Sequence, residues 1–154
     1  MHQSSITARR RVLAALAAAP LALISLRASA AAPMVSVTKL EGCGCCDQWA
    51  EHLRNNGFSV SVRAVRDLAP VRQKYGMVRD FDTCHTAFVE GYVIDGHVPA
   101  ADIHRLLRSK AKVAGLVVPG MPAGSPGMEG PRRDPYEVLS FDRTGAVQVY
   151  ARYR

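Results

Sequence analysis

One run of alternating residues, Met34-Val-Ser-Val-Thr-Lys-Leu40, leads almost directly into a turn holding three cysteines, Cys43-Gly44-Cys45-Cys46, and the turn opens onto a helical repeat. Alternation at period two demands a pleated strand with one buried face, and a period near 3.6 demands a helix. From Cys46 onward, Cys46, Trp49, Ala50 and Leu53 share one helical face, and Asn56-Gly57 stops the helix. Phe58 to Val65 alternates again and predicts a second strand. The thiols are thereby pinned to a strand-to-helix junction, where the positive end of the helix dipole favours thiolate.

The rest of the chain extends this pattern. Asp67 starts a short helix toward Tyr75 that Gly76 ends. Thr86–Val89 and Tyr92–Ile94 read as strands joined by a tight Glu90-Gly91 turn, and Pro99–Arg108 as a helix burying Ile103, Leu106 and Leu107. Gly115 to Gly130 is rich in Gly and Pro, carries Met121 and Met128, and reads as a loop. Tyr136 to Tyr153 alternates around Thr144-Gly145 and predicts a terminal hairpin. Strand, helix, strand, helix, hairpin, helix is a thioredoxin-like order. The expected fold is α/β: a mixed sheet flanked by helices, with a Gly/Pro/Met-rich loop and a C-terminal hairpin. By analogy with that fold, Cys84, just before the third strand, should face the cysteine turn.

The N-terminus changes what the cysteines mean. Arg9-Arg10-Arg11-Val12-Leu13, an Ala/Leu-rich run to about Leu26, and Ala28-Ser29-Ala30 make a basic, apolar and small-residue series, which reads as a secretory signal over residues 1–30. The run is broken by Pro20 and short for a membrane span. The paired arginines point to twin-arginine export, although Ala8 and Arg11 keep the general secretory route open. The expected location is the periplasm, with no stable membrane insertion once the leader is gone. The mature domain, 31–154, has 124 residues, enough for one core. The net charge of +7 loses Arg9, Arg10, Arg11 and Arg27 with the leader and no acid, leaving +3. The basicity is thus largely export machinery and argues for no nucleic-acid partner; Arg132-Arg133 and Arg152–Arg154 read as solvated surface.

Three chemistries are open to the thiols. Two disulfides could staple an exported domain, but three cysteines within four positions close almost no loop. Cys43 and Cys46 form a C-x-x-C pair suited to thiol–disulfide exchange. Adjacent Cys45 and Cys46 project differently, which suits bridging of several soft ions better than one tetrahedral zinc, and thiolate and thioether donors select Cu(I). Supporting donors are His85, His97, Met121 and Met128. His52 reads as an ordinary helical side chain, His104 as exposed, and His2 as part of the leader. Asp80, Asp82, Asp95 and Glu129 form no convincing acid–base pair.

The motifs Gly-Cys-Gly-Cys-Cys-Asp-Gln-Trp-Ala-Glu-His-Leu, Cys-His-Thr-Ala, Gly-Tyr-Val-Ile-Asp-Gly-His-Val-Pro-Ala-Ala-Asp-Ile and Gly-Leu-Val-Val-Pro-Gly-Met-Pro-Ala-Gly-Ser-Pro-Gly-Met-Glu together resemble a family of small exported metal-associated proteins. That family includes the CopG-like copper-resistance proteins. The resemblance covers nearly all of the mature chain. It implies a thioredoxin-like fold and copper, as Cu(I), bound through Cys43, Cys45, Cys46 and Cys84, with His85, His97, Met121 and Met128 falling on the family's remaining motifs. The expected function is copper handling, resistance or detoxification, with copper ions and other periplasmic copper-handling proteins as partners. Catalysis, by exchanging disulfides through Cys43/Cys46 or by cycling copper between oxidation states, is the alternative. No oligomeric state follows.

Overall fold

Seven strands and three helices account for the regular structure in the computed structural model, which describes residues 31–154 other than Arg79. The expected leader lies outside the described residues. In chain order the elements are β1 (Met34–Leu40), α1 (Gly44–Asn55), β2 (Ser59–Val65), α2 (Ala69–Lys74), β3 (His85–Val89), β4 (Tyr92–Asp95), α3 (Ala100–Ser109), β5 (Gly115–Val117), β6 (Tyr136–Phe141) and β7 (Val147–Tyr153). They form one mixed sheet in the order β2-β1-β3-β4-β5-β6-β7. β1 runs parallel to β2 and β4 parallel to β5, while the other neighbours are antiparallel.

Alternation along the strands sorts side chains onto two faces. Val35, Val37, Ala87, Val89, Ile94, Leu116 and Val138 turn to one side, where Trp49 and Leu53 of α1 and Ile103 and Leu106 of α3 cover them. Val93, Val117 and Phe141 turn to the other with Phe81, where Tyr75 and Met77 pack from the end of α2. The mixed sheet flanked by helices and the terminal hairpin are as expected, and the order is compatible with a thioredoxin-like arrangement. Two expectations change. Gly115–Val117, read as the start of a loop, is the strand β5, too short to show alternation but buried throughout. His104, read as exposed, is half-buried: its ring stacks on Phe58 at 4.2 Å and its Nε2 lies 2.8 Å from the Asn56 carbonyl oxygen. Among the described residues no helix is long and apolar enough to cross a membrane.

His52 has a defined structural task. Its Nε2 accepts a hydrogen bond at 3.1 Å from the backbone N–H of Ala100, the first residue of α3, whose preceding residue Pro99 offers no cap. Trp49 Nε1–H donates to the Val98 carbonyl at 2.9 Å, so α1 grips the chain just after His97 at two points. An accepting Nε2 must be unprotonated, and burial lowers the His52 pKa, partly offset by Glu129. The unfolded chain therefore takes the proton first. Stability from this contact is complete above the unfolded value near 6.5 and is lost as pH falls below it. His52→Ala should cost about 1 kcal/mol at pH 7.5, the usual worth of a helix cap. Urea unfolding of both proteins checks this: the gap between wild type and variant should shrink toward pH 5.

Candidate metal centre

Topology brings the four motifs to one end of the sheet. β1 and β3 are antiparallel with Lys39 opposite His85, and Leu40 N–H donates to the Cys84 carbonyl at 3.0 Å. The exit of β1, where the cysteine turn begins, therefore meets the entrance of β3. β4 returns beside β3 with Asp95 opposite Thr86, which delivers Gly96-His97 to the same end. β5, parallel to β4, leaves there too, and the Met121 loop follows. Gly96 permits the close approach: its φ is +69°, and a Cβ there would collide with the Val118 carbonyl oxygen.

All four cysteine Sγ atoms lie within 4.8 Å of one another. Cys84 is the hub, 3.2 Å from Cys43 Sγ, 3.0 Å from Cys46 Sγ and 4.0 Å from Cys45 Sγ. Cys43 and Cys46 are joined in a disulfide, and Cys45 and Cys84 are free thiols. The two-disulfide staple is therefore not what the chain forms. Lys39 Nζ steadies the turn by donating to the Cys43 carbonyl at 3.0 Å and pairing with Asp47 at 2.7 Å. Met121 completes the sulfur set: its Sδ lies 3.6 Å from Cys84 Sγ and 3.9 Å from Cys45 Sγ. Met128 participates differently, through its backbone, accepting from Gly124 N–H and donating to the Ser125 carbonyl at 2.8 Å each to close the loop.

His85 and His97 are fully buried, and none of their four ring nitrogens has a hydrogen-bond partner among the described residues. Their rings are 5.4 Å apart, and Trp49 covers His85 at 4.3 Å. The Cys84 sulfur and a nitrogen from each ring fall within 4.8 Å of one another. Buried polar atoms without partners are rare, and a cation would satisfy them. Burial drives the His85 pKa down to about 3, helped by neighbouring His97, and burial lowers His97 as well, so both rings are neutral donors. Burial and then neighbouring Cys45 push the Cys84 thiol up to about 12. A thiol so raised stays protonated at neutral pH unless a cation displaces the proton. Cys84 also lies nearly equidistant from the two disulfide sulfurs, beside the bond, whereas exchange proceeds by attack along the bond axis.

Two parts of this neighbourhood were not anticipated. Asp95, which forms no convincing acid–base pair in the sequence, is fully buried and bonded to Thr83 and Thr86 on either side of Cys84-His85. An aspartate ending the apolar run Tyr92-Val-Ile was the available signal. Arg72, which binds the same threonines, carried none, because one arginine on a short helix reads as surface. A cleft of about 760 Å³, lined by Arg72, Met77, Asp80 and Thr83 among others, borders this network.

A family model described as a protein of unknown function, DUF411, matches residues 81–128, which hold Cys84, both buried histidines and both methionines of the loop. No curated protein matches the chain. Two solved structures match with a TM-score of 0.73. One, described as copper resistance protein CopG form 1, is 43% identical, over 78% of this chain and 96% of that one. The other, CopG form 2, is 42% identical, over 79% and 98% respectively. At that identity across almost the whole of the CopG chains, this chain belongs to the CopG-like DUF411 family.

Proposed function

We propose that the protein is a periplasmic copper-handling protein that holds Cu(I) on Cys43, Cys45, Cys46 and Cys84, with Met121, His85 and His97 as supporting donors. The observation that carries this reading is the sulfur triangle of Cys45, Cys84 and Met121, with sides of 4.0, 3.6 and 3.9 Å. Thiolate–metal bonds of about 2.3 Å at tetrahedral or trigonal angles require sulfurs roughly 3.8–4.0 Å apart. Two thiolates and a thioether are soft donors, the set that selects Cu(I) over harder ions. The CopG relatives carry copper resistance in their description, which supports copper as the cargo. Export rests on the leader pattern in residues 1–30.

Anaerobic titration with Cu(I) against a chromophoric chelator tests the reading. The fully reduced protein should bind Cu(I) tightly and with a higher stoichiometry than the disulfide form, which keeps only the triangle and the histidines. Equal, weak binding in both forms rejects it. Periplasmic location is checked by cell fractionation.

A second reading is favoured by the Cys43–Cys46 disulfide itself. The dithiol gives one electron to each of two Cu(II) ions, and the products are two Cu(I), the disulfide and two protons. Adding Cu(II) to reduced protein should then yield two chelatable Cu(I) per pair of thiols lost; thiol loss without Cu(I) excludes it.

A further inference from the structure

We propose that Asp95 and Arg72 are positioning residues for the thiol site, holding the Cys84-His85 dipeptide by the threonines on either side of it. The proposal rests on the copper reading for its main measurement, and on nothing but the thiol geometry for its second.

Asp95 is fully buried at the end of β4, and its carboxylate is divided between two hydroxyls. Thr83 Oγ1–H donates to Oδ2 at 2.6 Å and Thr86 Oγ1–H to Oδ1 at 2.6 Å. Arg72 reaches in from α2 and supplies the opposite half of the network. Its Nη2–H donates to Thr83 Oγ1 at 2.6 Å and to the Thr83 carbonyl at 2.9 Å, and its Nε–H to Thr86 Oγ1 at 3.4 Å. Each threonine hydroxyl thus donates to the carboxylate and accepts from the guanidinium, so its orientation is fixed from both sides. Arg72 Nη2 stands 3.8 Å from Asp95 Oδ2, and Nη1 pairs with Asp80 at 3.1 Å near the surface. Two backbone bonds finish the grip: Leu40 N–H to the Cys84 carbonyl at 3.0 Å and Gly96 N–H to the His85 carbonyl at 3.3 Å.

Such a network is a costly way to stabilise a sheet, because a buried charge pair is often no better than apolar residues of the same volume. What it does supply is direction. Cys84 touches all three other cysteines and Met121, and a shift of the 83–86 segment would spoil several sulfur distances together. Groups that orient a ligand from outside typically change metal affinity 10- to 100-fold when removed.

The test compares Thr83→Val/Thr86→Val, which keeps shape and deletes both hydroxyls, with Thr83→Ser/Thr86→Ser, which keeps the hydroxyls. Arg72→Gln, on the outer helix, serves if the valine pair does not fold. Thermal melting and Cu(I) affinity by chelator competition are measured on each. The valine pair and Arg72→Gln should bind Cu(I) about 10- to 100-fold more weakly, with the serine pair matching wild type. A lower melting temperature with unchanged affinity means a purely structural network and overturns the proposal. If wild type binds no Cu(I), the copper reading falls separately, and alkylation of Cys84 in metal-free protein decides: the valine pair should react faster than wild type and the serine pair, because a loosened 83–86 segment opens access to the sulfur. An unchanged rate overturns it.

Discussion

Replacing Cys84 by serine should lower the affinity of the reduced protein for Cu(I) more than about 100-fold, beyond the loss expected for a group that only orients a ligand. Cys84 is the one sulfur in contact with Cys43, Cys46, Cys45 and Met121, so its removal dismantles every pairing that crosses from the turn to β3. Cys43→Ser should cost less, because the triangle of Cys45, Cys84 and Met121 survives it. The fold should tolerate Cys84→Ser, since the residue is half-buried and its backbone bond to Leu40 is kept. Chelator competition on reduced protein checks the ranking. Equal loss for Cys84 and Cys43 would mean that the triangle holds nothing by itself. A high Cys84 pKa adds a pH signature: Cu(I) must displace a proton, so binding should release protons at neutral pH and weaken as the solution is acidified.

Gly127→Ala should destabilise the protein by about 2–4 kcal/mol, combining overpacking with the penalty of a left-handed residue bearing a side chain. Gly127 has φ +87°, and a Cβ there would lie 2.7 Å from the Cys45 carbonyl oxygen and 2.9 Å from the Trp49 backbone nitrogen. Both obstacles are backbone of α1 and cannot swing aside. Relief requires the loop to lift, and the loop carries Met121 into the sulfur set. The variant should therefore melt roughly 10 °C lower and lose Cu(I) affinity in the disulfide form, where Met121 supplies one of three sulfurs. Gly130→Ala, where a Cβ meets nothing within 4 Å, is the matched control. If Gly127→Ala melts like that control, the loop does not rest on α1 in solution.

The strands and helices were legible where their periodicity was long enough to read. β1, α1 and the β6–β7 hairpin each repeat their pattern over six residues or more. β5 was hidden because three consecutive buried residues have no period, and glycines and prolines follow directly. The short helix α2 was visible through its Asp67 start, whose Oδ1 accepts from Ala69 N–H at 2.9 Å. Its purpose was not, because Arg72 acts on residues of another element.

The donor inventory and its chemistry are written in the order of residues alone. Four cysteines, two histidines and two methionines sit in short motifs whose residue types are soft or borderline ligands, and the cysteine turn had to fall between a strand and a helix because the periodicity changes there. Which donors meet depends on how the strands pair. Antiparallel pairing of β1 with β3 put Cys84 against the turn, and the parallel return through β5 brought Met121 to the sulfurs while Met128 closed the loop by its backbone. The folded chain also revealed the Asp95–Arg72 network, the buried unpartnered histidines and the role of His52 as a cap. These depend on strand register and on distances between residues far apart in the chain. Local periodicity carries no record of either.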